Sequence, residues 1–451
     1  MLRSSRVRKA VRTGGLMGAC ALAGGALFNV SASSQTSQRP ARPQSATRQA
    51  DLLVRQGRQV FRFDDFGDDA FWGGALQLHR AIEGAAHGGV GAGVSPKTAL
   101  AVGLKVDVNA LPGSVRSALK AGKVNLNSPA TTLALLKLNA VVGLKGHFNR
   151  RGTLSSVGIT CAVCHSTVNN SFAPGIGQRL DGWPNRDLNV GAIVSLAPNL
   201  KPVTDLLGVD AATVKKVLAA WGPGKFDAEL FLDGKGFQPD GRSAATLIPP
   251  AYGLAGVNLH TYTGWGSIPY WNAFVANLEM HGQGDFTDAR LDDAAKFPVA
   301  ARNRMGHTRV HGVPDRIRSK LPALHAYQLS LRAPKPRRGS FDRAAARRGK
   351  RVFDGKGRCA SCHMPPTFTD PGWNLHAPGE ICTDSFQASR SPTNGYRTTP
   401  LGGLGTRTRG GYYHDGRYAT LGQVVQHYDS CFKLGLTAQE QSDLVQYLKS
   451  L

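Results

Sequence analysis

Two short strings in the chain carry recognisable chemistry. Cys161-Ala162-Val163-Cys164-His165 and Cys359-Ala360-Ser361-Cys362-His363 both read C-x-x-C-H. Two thiols at this spacing can add across the two vinyl groups of a haem, along one edge of the porphyrin. The histidine that follows then reaches the iron as its proximal ligand. A zinc site would call for a second thiol pair close by or other clustered ligands, and none is placed so. One C-x-x-C could serve thiol exchange. Two complete copies point to two covalently attached c-type haems, one on Cys161, Cys164 and His165, the other on Cys359, Cys362 and His363.

Helices must position these motifs. Arg348-Gly349-Lys350-Arg351-Val352-Phe353 leads straight into the second motif. The alanines upstream favour a helix, ending at Gly355 and Gly357. Gln56-Gly57-Arg58-Gln59-Val60-Phe61 is a similar string near the start of the chain. There the first motif follows only after a long insertion of Gly-rich loops and apolar segments such as 133–144. The pattern predicts a mainly α fold of two cytochrome c-like haem domains, 50–331 with long loop-rich insertions and 332–451. A helix from Leu421 puts Tyr428 on one face with Leu421, Val424, Val425 and Phe432, and turns His427 about 100° away. Thr437, with Glu440 three residues on, forms a capping box for a last helix.

The chain has 451 residues, 41% hydrophobic and 19% charged, a balance that supports a packed core and excludes wholesale disorder. Its 54 glycines and 25 prolines argue for many turns rather than a long coiled coil. Beyond the N-terminus no apolar run reaches the roughly 18 residues of a membrane span. Residues 1–32 read as an export signal: Arg3, Arg6, Arg8, Lys9 and Arg12 without an acid, an apolar stretch, then Val30-Ser31-Ala32. The alternative is an uncleaved anchor. Residues 33–49, rich in Ser, Gln, Arg and Pro, read as a flexible linker. Export implies a periplasmic or secreted protein in an oxidising compartment. There the left-over Cys382 and Cys431 either join as a disulfide or stay as buried thiols, the even remainder favouring the disulfide. The formal charge is +25, and 332–351 alone holds nine Lys or Arg against Asp342. That stretch is either a solvated helix face or a docking surface for an acidic redox partner protein. Nucleic acid is not the expected partner of an exported cytochrome.

The two motifs, the stretch Thr399-Pro400-Leu401 through Tyr413-His414-Asp415-Gly416-Arg417-Tyr418-Ala419-Thr420-Leu421 and the final helix resemble the diheme cytochrome c peroxidase superfamily. That group includes bacterial diheme peroxidases, the diheme enzyme that matures methylamine dehydrogenase, and the diheme rubber oxygenases. The likeness covers most of residues 50–451. It implies that peroxide or dioxygen reacts at the first haem, and that the second haem stores and passes electrons across an intervening tryptophan. Ile248-Pro249-Pro250 through Ile268-Pro269-Tyr270-Trp271 is similar to the segment carrying it, which makes Trp271 the candidate. The wide separation of the motifs is closer to the rubber oxygenase branch, where a phenylalanine lies over the reactive haem; Phe286 is the matching position. Gln178 stands where family peroxidases hold a distal histidine. An amide is a poor iron ligand, so the first haem is expected to keep an open place unless His281 or His260 swings in. The peroxidases' methionine on the second haem falls on Tyr428, as in the methylamine-dehydrogenase-maturing enzyme. His427 is the second choice, with His414 or His376 as further alternatives. Glu279 and His281 are candidates for acid–base help in O–O cleavage. Relatives carry calcium between the haems, so the resemblance raises that ion too. The expectation is a peroxidase-like diheme oxidoreductase acting on a small-molecule oxidant; the alternative is a non-catalytic electron-transfer cytochrome.

Overall fold

The helix that opens the structure begins inside the expected linker. Ser45 caps Ala46–Phe63, its hydroxyl accepting from the Arg48 N–H at 3.3 Å, so residues 46–49 are helical. A serine cap ahead of Ala-Thr-Arg-Gln is sufficient to start a helix, and the polar composition of the segment concealed it. The computed structural model describes residues 45–451 apart from Pro371 and Thr408; the expected export signal and the rest of the linker lie outside the described residues.

The repeated string of the sequence recurs in space. Ala46–Phe63 packs across Leu321–Ser330, and Arg343–Asp354 packs across Ala438–Lys449. A glycine sits at each crossing. A Cβ on Gly57 would stand 1.9 Å from the Ala323 oxygen, and one on Gly349 2.0 Å from the Asp443 oxygen. Four residues on, one helical turn along the same face, Phe61 meets Tyr327 edge-on at 5.5 Å and Phe353 meets Tyr447 edge-on at 5.1 Å. Polar ties close both pairs. Arg62 Nε and the Tyr327 hydroxyl both donate to Asp181 at 2.5 Å, and Arg348 forks onto Asp443 with two bonds of 2.7 Å. The last helix starts on the expected Thr437–Glu440 capping box.

Residues 45–451 make one compact, mainly helical unit. Strand is confined to five two-stranded sheets among the described residues. Two of them bracket the first motif. The antiparallel pair Leu144–Phe148 and Leu154–Ile159, with Leu144 opposite Ile159, runs into Cys161; Ser166–Val168, just after His165, pairs with Arg179–Asp181. In the C-terminal part Cys382 and Cys431 form a disulfide, with Cα atoms 6.0 Å apart. It ties the helix Leu421–Phe432 to the loop ahead of Asp384. Among the described residues no helix is long and apolar enough to cross a membrane.

Candidate haem sites

Both motif histidines are built alike. His165 Nδ1 donates to the Pro249 oxygen at 3.2 Å and His363 Nδ1 to the Phe368 oxygen at 2.9 Å. Fixing the proton on Nδ1 leaves the Nε2 lone pair for a metal. Burial keeps both rings neutral, His165 down at about 4. The four motif cysteines are free, and burial pushes Cys161, Cys164 and Cys359 up to about 12. Each motif thus offers two protonated thiols and a ligand-ready imidazole.

Around the second motif lies a cavity of about 390 Å³ whose wall includes Cys359, Cys362, His363 and Tyr428. Leu421, Val424, Val425 and Phe432 line it from the same helix face as Tyr428, as the helical spacing predicts. Burial pushes the Tyr428 hydroxyl up, while the Tyr413 hydroxyl beside it pulls the other way. His427, the second choice, is placed differently from Tyr428. Its side chain is not in the cavity wall, and both ring nitrogens are engaged, Nδ1 with the Tyr418 hydroxyl at 2.9 Å and Nε2 with the Ile381 oxygen at 3.4 Å. His376 is clamped between Asp370 at 2.7 Å and Glu380 at 2.8 Å. His414 is stacked on Tyr396 and paired with Asp384 at 3.3 Å. Met280 and Met305 are core side chains elsewhere.

Three arginines in the same wall, Arg186, Arg397 and Arg407, have buried guanidinium nitrogens without a hydrogen-bond partner and no carboxylate partner among the described residues. Burial lowers Arg186 and brings Arg397 down to about 10. Among the described residues Arg397 and Arg407 donate only to backbone oxygens, of Thr261 and of Pro400 and Gly402; buried cations without a carboxylate are expensive, so the hollow is suited to an anionic occupant. A haem carries two carboxylates, and the lining fits it: thiols and an imidazole, cations and aliphatic side chains all stand in one wall. Sequence reasoning missed these arginines, which come from distant stretches and share no local pattern.

The first motif faces a different environment. Two π-helical turns, Ala70–Ala75 and Val275–Glu279, meet beside it. The second continues directly from the α-helix Ile268–Phe274. Trp72 Nε1 donates to the Met280 oxygen at 2.9 Å, and Phe71 stacks on His281 with centroids 3.6 Å apart. Phe71, Trp72, Glu279 and His281 share the wall of a cavity of about 100 Å³ that is otherwise almost wholly aliphatic and aromatic. Burial brings His281 down to about 4. Burial, then Glu229 and Asp227, push Glu279 up to about 8, and Glu279 in turn raises the Cys164 thiol. Glu279 is therefore a neutral acid at pH 7 near the first attachment site. Behind it, Arg390, without exposed surface, forks onto Asp233 (2.7 and 3.0 Å) and reaches Asp227 at 3.1 Å.

Trp271 stacks on Trp265 at 5.1 Å within a cluster that also holds Phe274, Phe286 and Phe297. Trp271 and Phe286 thus belong together, and neither lines the large cavity. Instead Pro249, whose oxygen holds His165, stands in that cavity's wall. Gln178 is a correction: it is exposed on a surface hairpin and its amide oxygen accepts from Asn169 at 3.2 Å. The strand pairing after His165 turns it outward to solvent. His260 is held by the Val257 oxygen at 3.1 Å. Asp65, Asp69 and His147 gather possible metal-ligand atoms near the first motif, with Asp65 already bonded to His147 at 2.5 Å.

No family model matches the chain. It is 27% identical over 238 residues to the methylamine utilization protein MauG of Methylorubrum extorquens, across 45% of this chain and 63% of that protein. It is 25% identical over 246 residues to the cytochrome-c peroxidase IdrP1 of Denitromonas iodatirespirans, across 40% and 64%. The chain is related to the diheme peroxidase-like proteins. The matches span just under two thirds of the length of these curated relatives. Among solved structures, the diheme peroxidase BthA of Burkholderia thailandensis aligns at 16% identity with a TM-score of 0.30, over 51% of this chain and 78% of that one. Hydrazine synthase of Kuenenia stuttgartiensis aligns at 24% identity with a TM-score of 0.23, over 30% and 55%.

Proposed function

We propose that the protein is an exported diheme c-type oxidoreductase with peroxidase-like chemistry. Peroxide or dioxygen reacts at the first haem, and the second relays electrons. The two haem units are 50–331 and 332–451, closed by the Gly57 and Gly349 crossings. When bound, the haems supply redox-active irons, one offering a coordination place to the oxidant and the other a one-electron store. His165 and His363 hold them from the proximal side, and Tyr428 is the second protein ligand at His363's haem.

The observation that carries the enzymatic reading is Glu279, a neutral carboxyl near Cys164 on an apolar cavity wall. A carboxyl poised at about 8 can give its proton to a departing oxygen and recover it near neutral pH. Neutral His281, stacked on Phe71, can accept or pass that proton. The apolar wall excludes bulk water. Trp271 is the tryptophan between the haems and Phe286 the residue over the first, the two sharing one aromatic cluster. Pro249, whose oxygen holds His165, also stands in the wall of the second site's cavity. The Cys382–Cys431 disulfide supports an oxidising compartment, periplasmic or extracellular. All nine basic residues of 332–351 are exposed, which supports docking of an acidic redox protein.

Ferric EPR and absorption of the purified diheme protein test the reading. A high-spin haem signal that changes on adding peroxide supports it. Two low-spin haems, unresponsive to peroxide, carbon monoxide and dioxygen in both redox states, would make the protein an electron carrier instead.

A further inference from the structure

Tyr413 has no part in that reading and is unusual on three counts. Its hydroxyl is buried without a hydrogen-bond partner of good geometry among the described residues. Its φ is +70°, the left-handed region, where a bulky aromatic residue is strained. Its side chain stands in the wall of the cavity that also holds Cys359, Cys362, His363 and Tyr428, with its ring 6.1 Å from that of Tyr428.

The neighbours enforce this placement. The ring is edge-on to Tyr418 at 4.8 Å and to His427 at 5.4 Å. Tyr418 and His427 are bonded to each other at 2.9 Å, and the Tyr412 N–H donates to the Tyr418 oxygen at 2.8 Å. Two bonded side chains, on a backbone tied across Tyr412 and Tyr418, therefore fix a phenol whose hydroxyl has no partner of good geometry. An unsatisfied buried donor is unfavourable, and backbone strain adds to it. The neighbouring hydroxyl in the same cavity wall is that of Tyr428, whose ring lies 6.1 Å away.

We propose that Tyr413 is a positioning residue for the second haem: its hydroxyl donates a hydrogen bond to the Tyr428 oxygen and weakens Tyr428 as an iron ligand. The inference rests on the reading of Tyr428 as that ligand. A phenolate donor favours ferric iron, and a hydrogen bond withdraws electron density from it. Removing the bond strengthens the ligand and lowers the haem's reduction potential.

The test is Tyr413→Phe in the diheme holoprotein, which deletes one oxygen and keeps the ring. Spectroelectrochemical titration is expected to show the second haem shifted about tenfold toward ferric, a fall of about 59 mV for one electron, with the phenolate-to-iron charge-transfer band displaced. A purely structural tyrosine would alter thermal stability and leave the potential unmoved. Tyr428→Phe separates the two claims. If it leaves the second haem's ferric spectrum unchanged, the ligand reading fails and this proposal falls with it. If it changes the spectrum while Tyr413→Phe leaves the potential in place, the Tyr413 proposal alone is overturned. Should Tyr413→Phe fail to take up haem, resonance Raman of the unsubstituted protein decides. An iron–phenolate stretch that moves after full exchange into D2O supports the donor, and an unmoved band overturns it.

Discussion

Replacing Glu279 by glutamine is expected to make the protein more stable and less active, both with a pH signature. Its carboxyl is held up at about 8 by burial and by Glu229 and Asp227, against an ordinary value of 4.5. Between those values the folded chain keeps a proton that the unfolded chain has released. Stability tied to this group is therefore intact below 4.5, falls as pH rises through the window, and levels off above about 8. At 1.36 kcal/mol per tenfold change in protonation, the loss by about pH 7.5 is about 4 kcal/mol. Relaxation of the surrounding groups when the carboxyl ionises reduces that figure, so it is an upper value. Glutamine has the same shape and nothing to protonate. E279Q should exceed the parent by up to about 4 kcal/mol near pH 7.5 and by almost nothing near 4.5, read by urea denaturation across that range. Peroxide-dependent turnover should drop by about 10²–10⁴, and the parent's decline above pH 8 should vanish from the residual activity. A stability gap that is absent near pH 7.5, or constant across the range, refutes the assignment.

Three further outcomes follow from the packing. Arg390→Met strands Asp227 and Asp233 without their cation and should lose about 3–5 kcal/mol in urea denaturation, most of it recovered when both acids are also changed to asparagine. Gly349→Ala drives a methyl group into the Asp443 carbonyl and should lose about 1–3 kcal/mol, with a haem-to-protein ratio falling toward one; Gly57→Ala should do the same to the first haem. Removing the disulfide with Cys382→Ser and Cys431→Ser frees a separation of 49 residues and should lower stability by about 4 kcal/mol while broadening the EPR signal of the second haem.

Much of the site is legible in the sequence where chemistry is local. Covalent attachment fixes the C-x-x-C-H spacing, so both motifs stand out. Helical periodicity separates Tyr428 from His427 because four apolar neighbours on one face report which side is buried. The string shared by Gln56–Phe61 and Arg348–Phe353 signals the two helix crossings, although the reason for its glycine appears only when Ala323 and Asp443 arrive from far along the chain. Features assembled from distant segments leave no such trace. Arg390 meets Asp227 and Asp233 across the length of the fold, and each looks alone like an ordinary surface charge. Gln178 is assigned from the resemblance alone, and the hairpin that leaves it exposed forms only when Ser166–Val168 pairs with Arg179–Asp181. The π-helical turns at Trp72 and Glu279 have no sequence signature, so the facing of Glu279 and His281 could not be read in advance.

The three stranded guanidinium groups around the second motif bear on the protein's stability. Like charges facing one hollow repel one another, so that wall costs the chain stability as long as nothing negative stands against it. Negative groups held there would relieve that cost, so the protein carrying its prosthetic groups should withstand more urea than the chain without them.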